Sequence, residues 1–420
     1  MQRLIINGGS RVCGEIKVQG AKNSALPLLA GCLLAGGEVR LTNCPELSDV
    51  YAALRILSRF GCRCSFKNNT AEVNSAELTE YSVPEELMRE MRSSIVFLGA
   101  ALGRMGQCRL SFPGGCELGP RPIDLHLSAL KQMGVKITEE HGELCCTCPK
   151  GLRGAKINLS FPSVGATENI MLAAAVAKGE TVIYNAAREP EIAELAKFLE
   201  RCGARVSGGG CSTVRINGVE KLHGCEFEVM PDRIAAATYM AAAAATRGEL
   251  GLTSVRCADV QSVLNVFEHA GADIFCGKDS IFMSFAKPLR GVKTVRTMPY
   301  PGFPTDAQAV VMAALATAEG TSVMVENIFE SRYRHVDELV RMGADIKTEG
   351  KVAIIEGVQS LYGARVRACD LRGGAALAVA AVGAKGRTVI ENVKYIDRGY
   401  ENIEKALNSI GADVYRSNDS

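Results

Sequence analysis

The stretch Pro113-Gly114-Gly115-Cys116-Glu117-Leu118-Gly119-Pro120-Arg121-Pro122-Ile123-Asp124 sets one thiol beside one guanidinium among three glycines and three prolines. Such a stretch continues neither a helix nor a central strand, so it reads as a loop. A neighbouring arginine favours thiolate and offers a fork for phosphate or carboxylate. An isolated Gly-Gly-Cys is more often an ordinary surface turn. The surrounding chain raises this one above that level.

Further polar groups collect where apolar helices begin: Lys22-Asn23-Ser24, Arg92-Ser93-Ser94, Ser163-Val164-Gly165-Ala166-Thr167, Asp232-Arg233, Thr305-Asp306 and Asp370-Leu371-Arg372. Capping accounts for Ser, Thr and Asp at such places. It does not account for Lys and Arg, because a cation at the positive end of a helix dipole is unfavourable unless an anion shares the site. Anionic ligands are therefore expected at several of these helix starts.

The elements that must carry these groups recur. An apolar residue, Gly, then Ala, Cys or Val follows an amphipathic helix pattern at Gly61, Gly134, Gly203, Gly271, Gly343 and Gly411, about 70 residues apart. A second ladder, Gly37, Gly106, Gly179, Gly248, Gly320 and Gly386, separates an Ala/Leu-rich helix from a β-rich segment, where glycine is the expected left-handed stop. The helices over 25–35, 170–177, 234–245 and 307–318 are apolar on nearly every side and belong inside a domain. Six helix–strand–helix–strand units predict an α/β architecture, three units per domain, dividing near Met230-Pro231-Asp232. Between the two ladders the second unit is the longest, and its excess falls around Pro113 to Asp124. The Cys116 loop thus reads as an insertion on a repeat scaffold, the kind of place that carries function.

Bulk composition bounds the rest. A chain of 420 residues exceeds one ordinary core, which predicts two domains with a cleft as the default site. Lys plus Arg number 48 against 46 Asp plus Glu, so a net charge of +2 gives no support for a nucleic-acid-binding surface. The amino terminus lacks a signal-like apolar run and the Ala-rich runs are broken before spanning length, so a cytoplasmic protein off the membrane is expected. In a reducing compartment most of the 16 cysteines act as small buried hydrophobes. Cys145-Cys146-Thr147-Cys148 holds a lone CxxC without a second pair, and no metal is expected.

Seven motifs in order now resemble one family, the UDP-N-acetylglucosamine 1-carboxyvinyltransferases among the enolpyruvyl transferases. They are Gly20-Ala21-Lys22-Asn23-Ser24-Ala25-Leu26-Pro27, Pro113-Gly114-Gly115-Cys116, Gly119-Pro120-Arg121-Pro122-Ile123-Asp124-Leu125-His126, Ser163-Val164-Gly165-Ala166-Thr167, Pro301-Gly302-Phe303-Pro304-Thr305-Asp306, Asp370-Leu371-Arg372 and Ile396-Asp397-Arg398-Gly399-Tyr400-Glu401. The resemblance covers essentially the whole chain. It implies a two-domain inside-out α/β barrel of six βαβαββ repeats, three per domain. One domain would be 22–229 with the Cys116 loop as a lid, the other 1–21 plus 230–420.

The implied reaction moves the enolpyruvyl group of phosphoenolpyruvate to the 3-hydroxyl of UDP-N-acetylglucosamine and releases phosphate, with no cofactor. By resemblance, Lys22, Arg121 and Arg398 hold the phosphate, and Arg92, Arg332 and Arg372 neutralise the carboxylate and nearby charge. Cys116 donates the proton to the enol carbon and can form a covalent adduct. Asp306 takes or orients the sugar hydroxyl proton, and Asn23 and Asp306 contact the sugar. Arg121, Pro122, Ile123, Asp124 and Leu125, with Ser163, Val164 and Gly165, hold the uridine diphosphate. Ile328 and Asp370 complete the implied substrate-binding set.

The chain departs from the family pattern at Phe161-Pro162, where some members carry a Lys that contacts the diphosphate, at Ser331, where Asn is usual, and at Gly373-Gly374, where Ala-Ser is common. This leaves open a main enzyme or a divergent second copy. The sister 3-phosphoshikimate 1-carboxyvinyltransferase shares the first Lys and the architecture but lacks the Pro-Gly-Gly-Cys lid. A silent paralogue that binds UDP-sugar and regulates a protein partner is the reading from another class.

Overall fold

The structure, a computed structural model, describes residues 2–91, 93–111 and 123–418. Its described residues form six four-stranded sheets built to one plan. The plan is plainest over residues 156–217. Strand Lys156–Asn158 leads into helix Val164–Ala174 and returns in parallel as Glu180–Tyr184, with Lys156 opposite Val182. Helix Pro190–Arg201 follows, then the antiparallel pair Arg205–Ser207 and Thr213–Asn217, whose second strand inserts beside Glu180–Tyr184. Each repeat is therefore βαβαββ, and the architecture is the inside-out α/β barrel that the resemblance implied.

Contacts divide the chain into two compact units, one of described residues from 20–230 and one of 2–19 with 231–418. Each encloses a single apolar core. In the first, the core helices are Lys22–Cys32, Phe97–Met105 and Val164–Ala174. In the second they are Arg233–Ala245, Thr305–Leu315 and Leu371–Gly383. Alanine and leucine favour helix, and the small alanines allow close packing. Ala235 to Ala237 and Ala241 to Ala243 are all fully buried. The second helix of each repeat is one-sided, as in Ser48–Phe60, which buries Val50, Ala53, Leu57 and Phe60. The strands alternate buried and exposed residues, as in Glu38–Thr42.

Both units borrow strands from distant sequence. Glu226–Glu228 is the leading strand beside Glu38–Thr42, with Glu226 opposite Arg40. In the second unit Cys13–Lys17 leads the sheet of Glu249–Thr253. Gln2–Gly8 fills the slot between Gly386–Glu391 and Asp413–Asn418.

The glycines of the first ladder, from Gly61 to Gly411, all have left-handed φ. The second ladder departs at two places. The left-handed residues are Gly36 and Arg247, one position ahead of Gly37 and Gly248. Gly248 has another reason to lack a side chain, since a methyl group there would overlap the Val12 carbonyl oxygen. Among the described residues, no helix is long and apolar enough to cross a membrane.

Candidate active site

In the unit of 2–19 and 231–418, the amino-terminal ends of the core helices carry a set of paired charges. Asp232 and Asp370 cap their helices: Asp232 accepts from the backbone N–H of Ile234 and Ala235, Asp370 from those of Arg372 and Gly373. Asp306 lies in the first turn of Thr305–Leu315. Arg332 Nη2 donates to its Oδ1 at 2.9 Å and to the Thr305 carbonyl at 3.0 Å, and Arg372 Nε lies 3.3 Å from the same Oδ1. Burial alone would raise the Asp306 carboxyl, but Arg372 and then Arg332, with Arg233 behind them, hold it well below the usual carboxylate range. The carboxylate is ionised, and its side chain, though deep in the unit, remains 30% exposed.

Arg332 and Arg372 are themselves buried, at 3% and 4% exposure. Among the described residues, Arg332 Nε and Arg372 Nη1 have no hydrogen-bond partner. Buried guanidinium donors that find no acceptor are costly, and an anionic ligand would satisfy them. This refines the expectation that helix-end cations mark anions. Part of their charge is met by the protein's own carboxylate, and part is left over.

Neighbouring groups lock the arrangement. Arg332, with the Gly373 backbone N–H and the Cys369 thiol among the groups behind it, holds the Asp370 carboxyl low despite burial. Cys369 Sγ donates to Asp370 Oδ2 at 3.3 Å, and burial together with that carboxylate pushes its thiol up to about 12. His335 is buried, with Nδ1 3.2 Å from the Arg332 carbonyl oxygen, which can only accept, so Nδ1 carries the proton. Burial lowers its pKa to about 4 even against Asp370, so the ring is neutral near pH 7.

Sequence reasoning missed two positioning groups here. Buried Glu326 accepts from Thr297 Oγ1 at 3.0 Å, Thr305 Oγ1 at 2.9 Å, Ile328 N at 2.8 Å and Phe329 N at 3.0 Å. It therefore fixes both the residue before Asp306 and the backbone at Ile328. The available signal was one carboxylate closing the apolar run Thr321–Val325. Gln19 is the other. Its amide donates to the Gly399 carbonyl at 3.0 Å and accepts from Glu401 N at 3.1 Å, while its own carbonyl accepts from Asp232 N at 2.8 Å. Arg398, the last residue of the 3-10 turn Val393–Arg398, is thereby tied to the start of helix Arg233–Ala245.

In the unit of 20–230, Lys22 opens its core helix and pairs at 2.9 Å with buried Asp49 of helix Ser48–Phe60. Asn23 follows, half-buried, and Ser24 Oγ and Met230 N both donate to Glu194, the latter at 2.7 Å. Ser163 caps Val164–Ala174 by accepting from Ala166 N at 3.3 Å. His126 of helix Asp124–Gln132 lies 2.9 Å from Asn169 and faces Gly165. That contact brings Ile123, Asp124 and Leu125 next to Ser163, Val164 and Gly165. Arg256 is spent on an exposed pair with Asp259. Arg92, Cys116, Arg121 and Pro122 lie outside the described residues.

Comparison with known proteins supplies the class. The chain belongs to the enolpyruvyl transferase family, whose model, EPSP synthase (3-phosphoshikimate 1-carboxyvinyltransferase), matches residues 6–407. Within that class, it is 49% identical to UDP-N-acetylglucosamine 1-carboxyvinyltransferase 2 of Caldanaerobacter subterraneus subsp. tengcongensis, over 99% of this chain and 100% of the relative. It is 46% identical to the protein of the same name from Carboxydothermus hydrogenoformans, over 100% of each chain. The enolpyruvyl transferase NikO from Streptomyces tendae shares the fold at a TM-score of 0.89 and 25% identity, covering 99% of both chains. The family expectation from the seven motifs is borne out.

Proposed function

We propose that this chain transfers the enolpyruvyl group of phosphoenolpyruvate to the 3-hydroxyl of UDP-N-acetylglucosamine, releasing phosphate, as the first committed step of peptidoglycan precursor synthesis. The observation that carries the reading is Asp306, held ionised between two buried guanidiniums that retain unused donors. Full-length similarity to enzymes of that name supports the choice of sugar nucleotide. Residues 22–229 and 1–21 plus 230–420 act as the two domains.

Addition comes first. The Cys116 thiol gives its proton to the methylene carbon of phosphoenolpyruvate, the sugar oxygen bonds to the adjacent carbon, and Asp306 takes the hydroxyl proton. A carboxylate clamped by Arg332 and Arg372 is a weak base. When those arginines turn their spare N–H groups to the substrate carboxylate, their hold on Asp306 loosens and its basicity rises. Elimination then breaks the bond to phosphate: the Cys116 thiolate takes a proton back from the methyl carbon, which restores the double bond in the product, and protonated Asp306 gives up its proton to the departing phosphate. Lys22, Arg121 and Arg398 hold the departing phosphate, and Arg92 adds charge at the carboxylate. Asn23, Ile328 and Asp370 position the sugar, while Ile123 to Leu125 and Ser163 to Gly165 hold the diphosphate and uridine.

A phosphate-release assay tests this. Release is expected only when phosphoenolpyruvate and UDP-N-acetylglucosamine are both present, and Cys116→Ala should abolish it while UDP-sugar binding persists. Equal or faster release with shikimate 3-phosphate would move the chain to the sister activity.

A further inference from the structure

In the unit of 20–230 the sulfurs of Cys202 and Cys225 stand 3.4 Å apart. Cys202 is the buried residue that ends helix Pro190–Arg201, and Cys225 is half-buried immediately before strand Glu226–Glu228. Backbone hydrogen bonds already fix both segments: His223 N donates to the Cys202 carbonyl at 2.9 Å, and Arg40 N to the Cys225 carbonyl at 2.9 Å. A disulfide has an S–S distance of about 2.05 Å, so closure asks for roughly 1.4 Å, within the reach of small side-chain rotations.

We propose that Cys202 and Cys225 form a reversible dithiol–disulfide site that closes on reaction with a peroxide and fastens the closing strand of this unit to the preceding helix. Cys225 is the attacking sulfur, because it is the more accessible of the two and is flanked by Arg201 and His223. A hydrogen bond from the Cys202 thiol, with help from those two side chains, lowers the Cys225 thiol against the effect of burial. The same hydrogen bond, with burial, raises Cys202 and keeps it protonated as the resolving group. The Cys225 thiolate attacks one peroxide oxygen, the O–O bond breaks, and a sulfenic acid forms with loss of hydroxide, which takes up a proton to become water. The Cys202 sulfur then displaces the sulfenic oxygen, its own proton leaving with that oxygen as a second water. Two thiols and one hydrogen peroxide thus give one disulfide and two waters. Two equivalents of a small thiol reverse the bond by exchange.

The position of the pair gives closure a structural effect. Glu226–Glu228 has only three residues, yet it supplies the leading strand that seals the first repeat of the unit to the third. Fastening that strand to helix Pro190–Arg201 adds a covalent bond at the seam, where local opening would begin.

The test is independent of catalysis. Full-length protein is titrated with hydrogen peroxide, its remaining thiols are alkylated with iodoacetamide, and it is digested without reductant. The expected product is one peptide pair linked through Cys202 and Cys225, lighter by two hydrogens and split by dithiothreitol. In Cys225→Ser the linked pair vanishes. Backbone amides of residues 226–228 should exchange more slowly in the oxidised wild-type protein. If Cys202→Ala fails to fold, the wild-type linkage and Cys225→Ser still decide the matter. Recovery of both cysteines as alkylated or singly oxidised residues, at doses that oxidise other thiols of the chain, overturns the proposal.

Discussion

Glu326 has no reacting partner, yet its carboxylate collects hydrogen bonds from three segments and so sets where Asp306 stands. Replacing it by glutamine keeps the shape but gives up the charge that strengthens all four bonds, leaving a neutral amide oxygen to accept from Thr297, Ile328 and Phe329. Glu326→Gln should therefore lose about 2 kcal/mol in urea unfolding and lower kcat more than it raises KM for phosphoenolpyruvate. An unchanged midpoint would show that the four contacts are idle. His335 sets a pH dependence. Its folded-state pKa of about 4 lies below the ordinary 6.5, so the unfolded chain binds the proton more readily between those values. The contribution of the neutral ring is whole above pH 6.5 and is lost as pH falls toward 4, roughly 3 kcal/mol in all. Urea midpoints at pH 7 and 4.5 should fall less steeply in His335→Gln than in the wild-type protein; parallel falls would remove His335 from the account.

Helices decide how closely such groups can meet. Gly99 in Phe97–Met105 touches helix Val164–Ala174 so tightly that a methyl group would overlap the Asn169 carbonyl oxygen, while Asn169 Oδ1 accepts from Gly99 N at 2.5 Å. Alanine is otherwise the better helix former, so only the close approach makes Gly99→Ala destabilising. The expected loss is about 1–3 kcal/mol, read from thermal or urea unfolding, and a gain in stability would show the helices free to part. The element boundaries were largely legible in the sequence. Ladder glycines, Ala-rich runs and caps at Ser163, Asp232 and Asp370 are local signals, and local signals survive in one dimension. The two misplaced left-handed turns, at Gly36 and Arg247, show where that stops: the glycine of Gly248 answers to a distant carbonyl at Val12, not to the local stop signal.

At the scale of the whole molecule, the chain closes its second unit with its first residues. Gln2–Gly8 and Cys13–Lys17 occupy interior and edge slots in sheets otherwise made from 249–418. Without them the sheets expose unpaired backbone and open the core. A fragment of 231–420 should fail to unfold cooperatively by circular dichroism, and adding a peptide of residues 1–19 should restore the transition. A cooperative transition in the fragment alone would show the borrowed strands to be ornamental.

Composition, period and helix caps, read by themselves, determined the α/β class, six repeats and the buried character of the core helices, because each depends on residues adjacent in the chain. Motif order also pointed to the enolpyruvyl transferases. Only the tertiary structure decided that Asp306, Arg332 and Arg372 share one carboxylate oxygen, that Glu326 and Gln19 hold their surroundings, and that Cys202 meets Cys225. Those meetings join residues separated by tens to hundreds of positions, and ion pairing, desolvation and thiol contact depend on distance in space, which spacing along the chain does not encode.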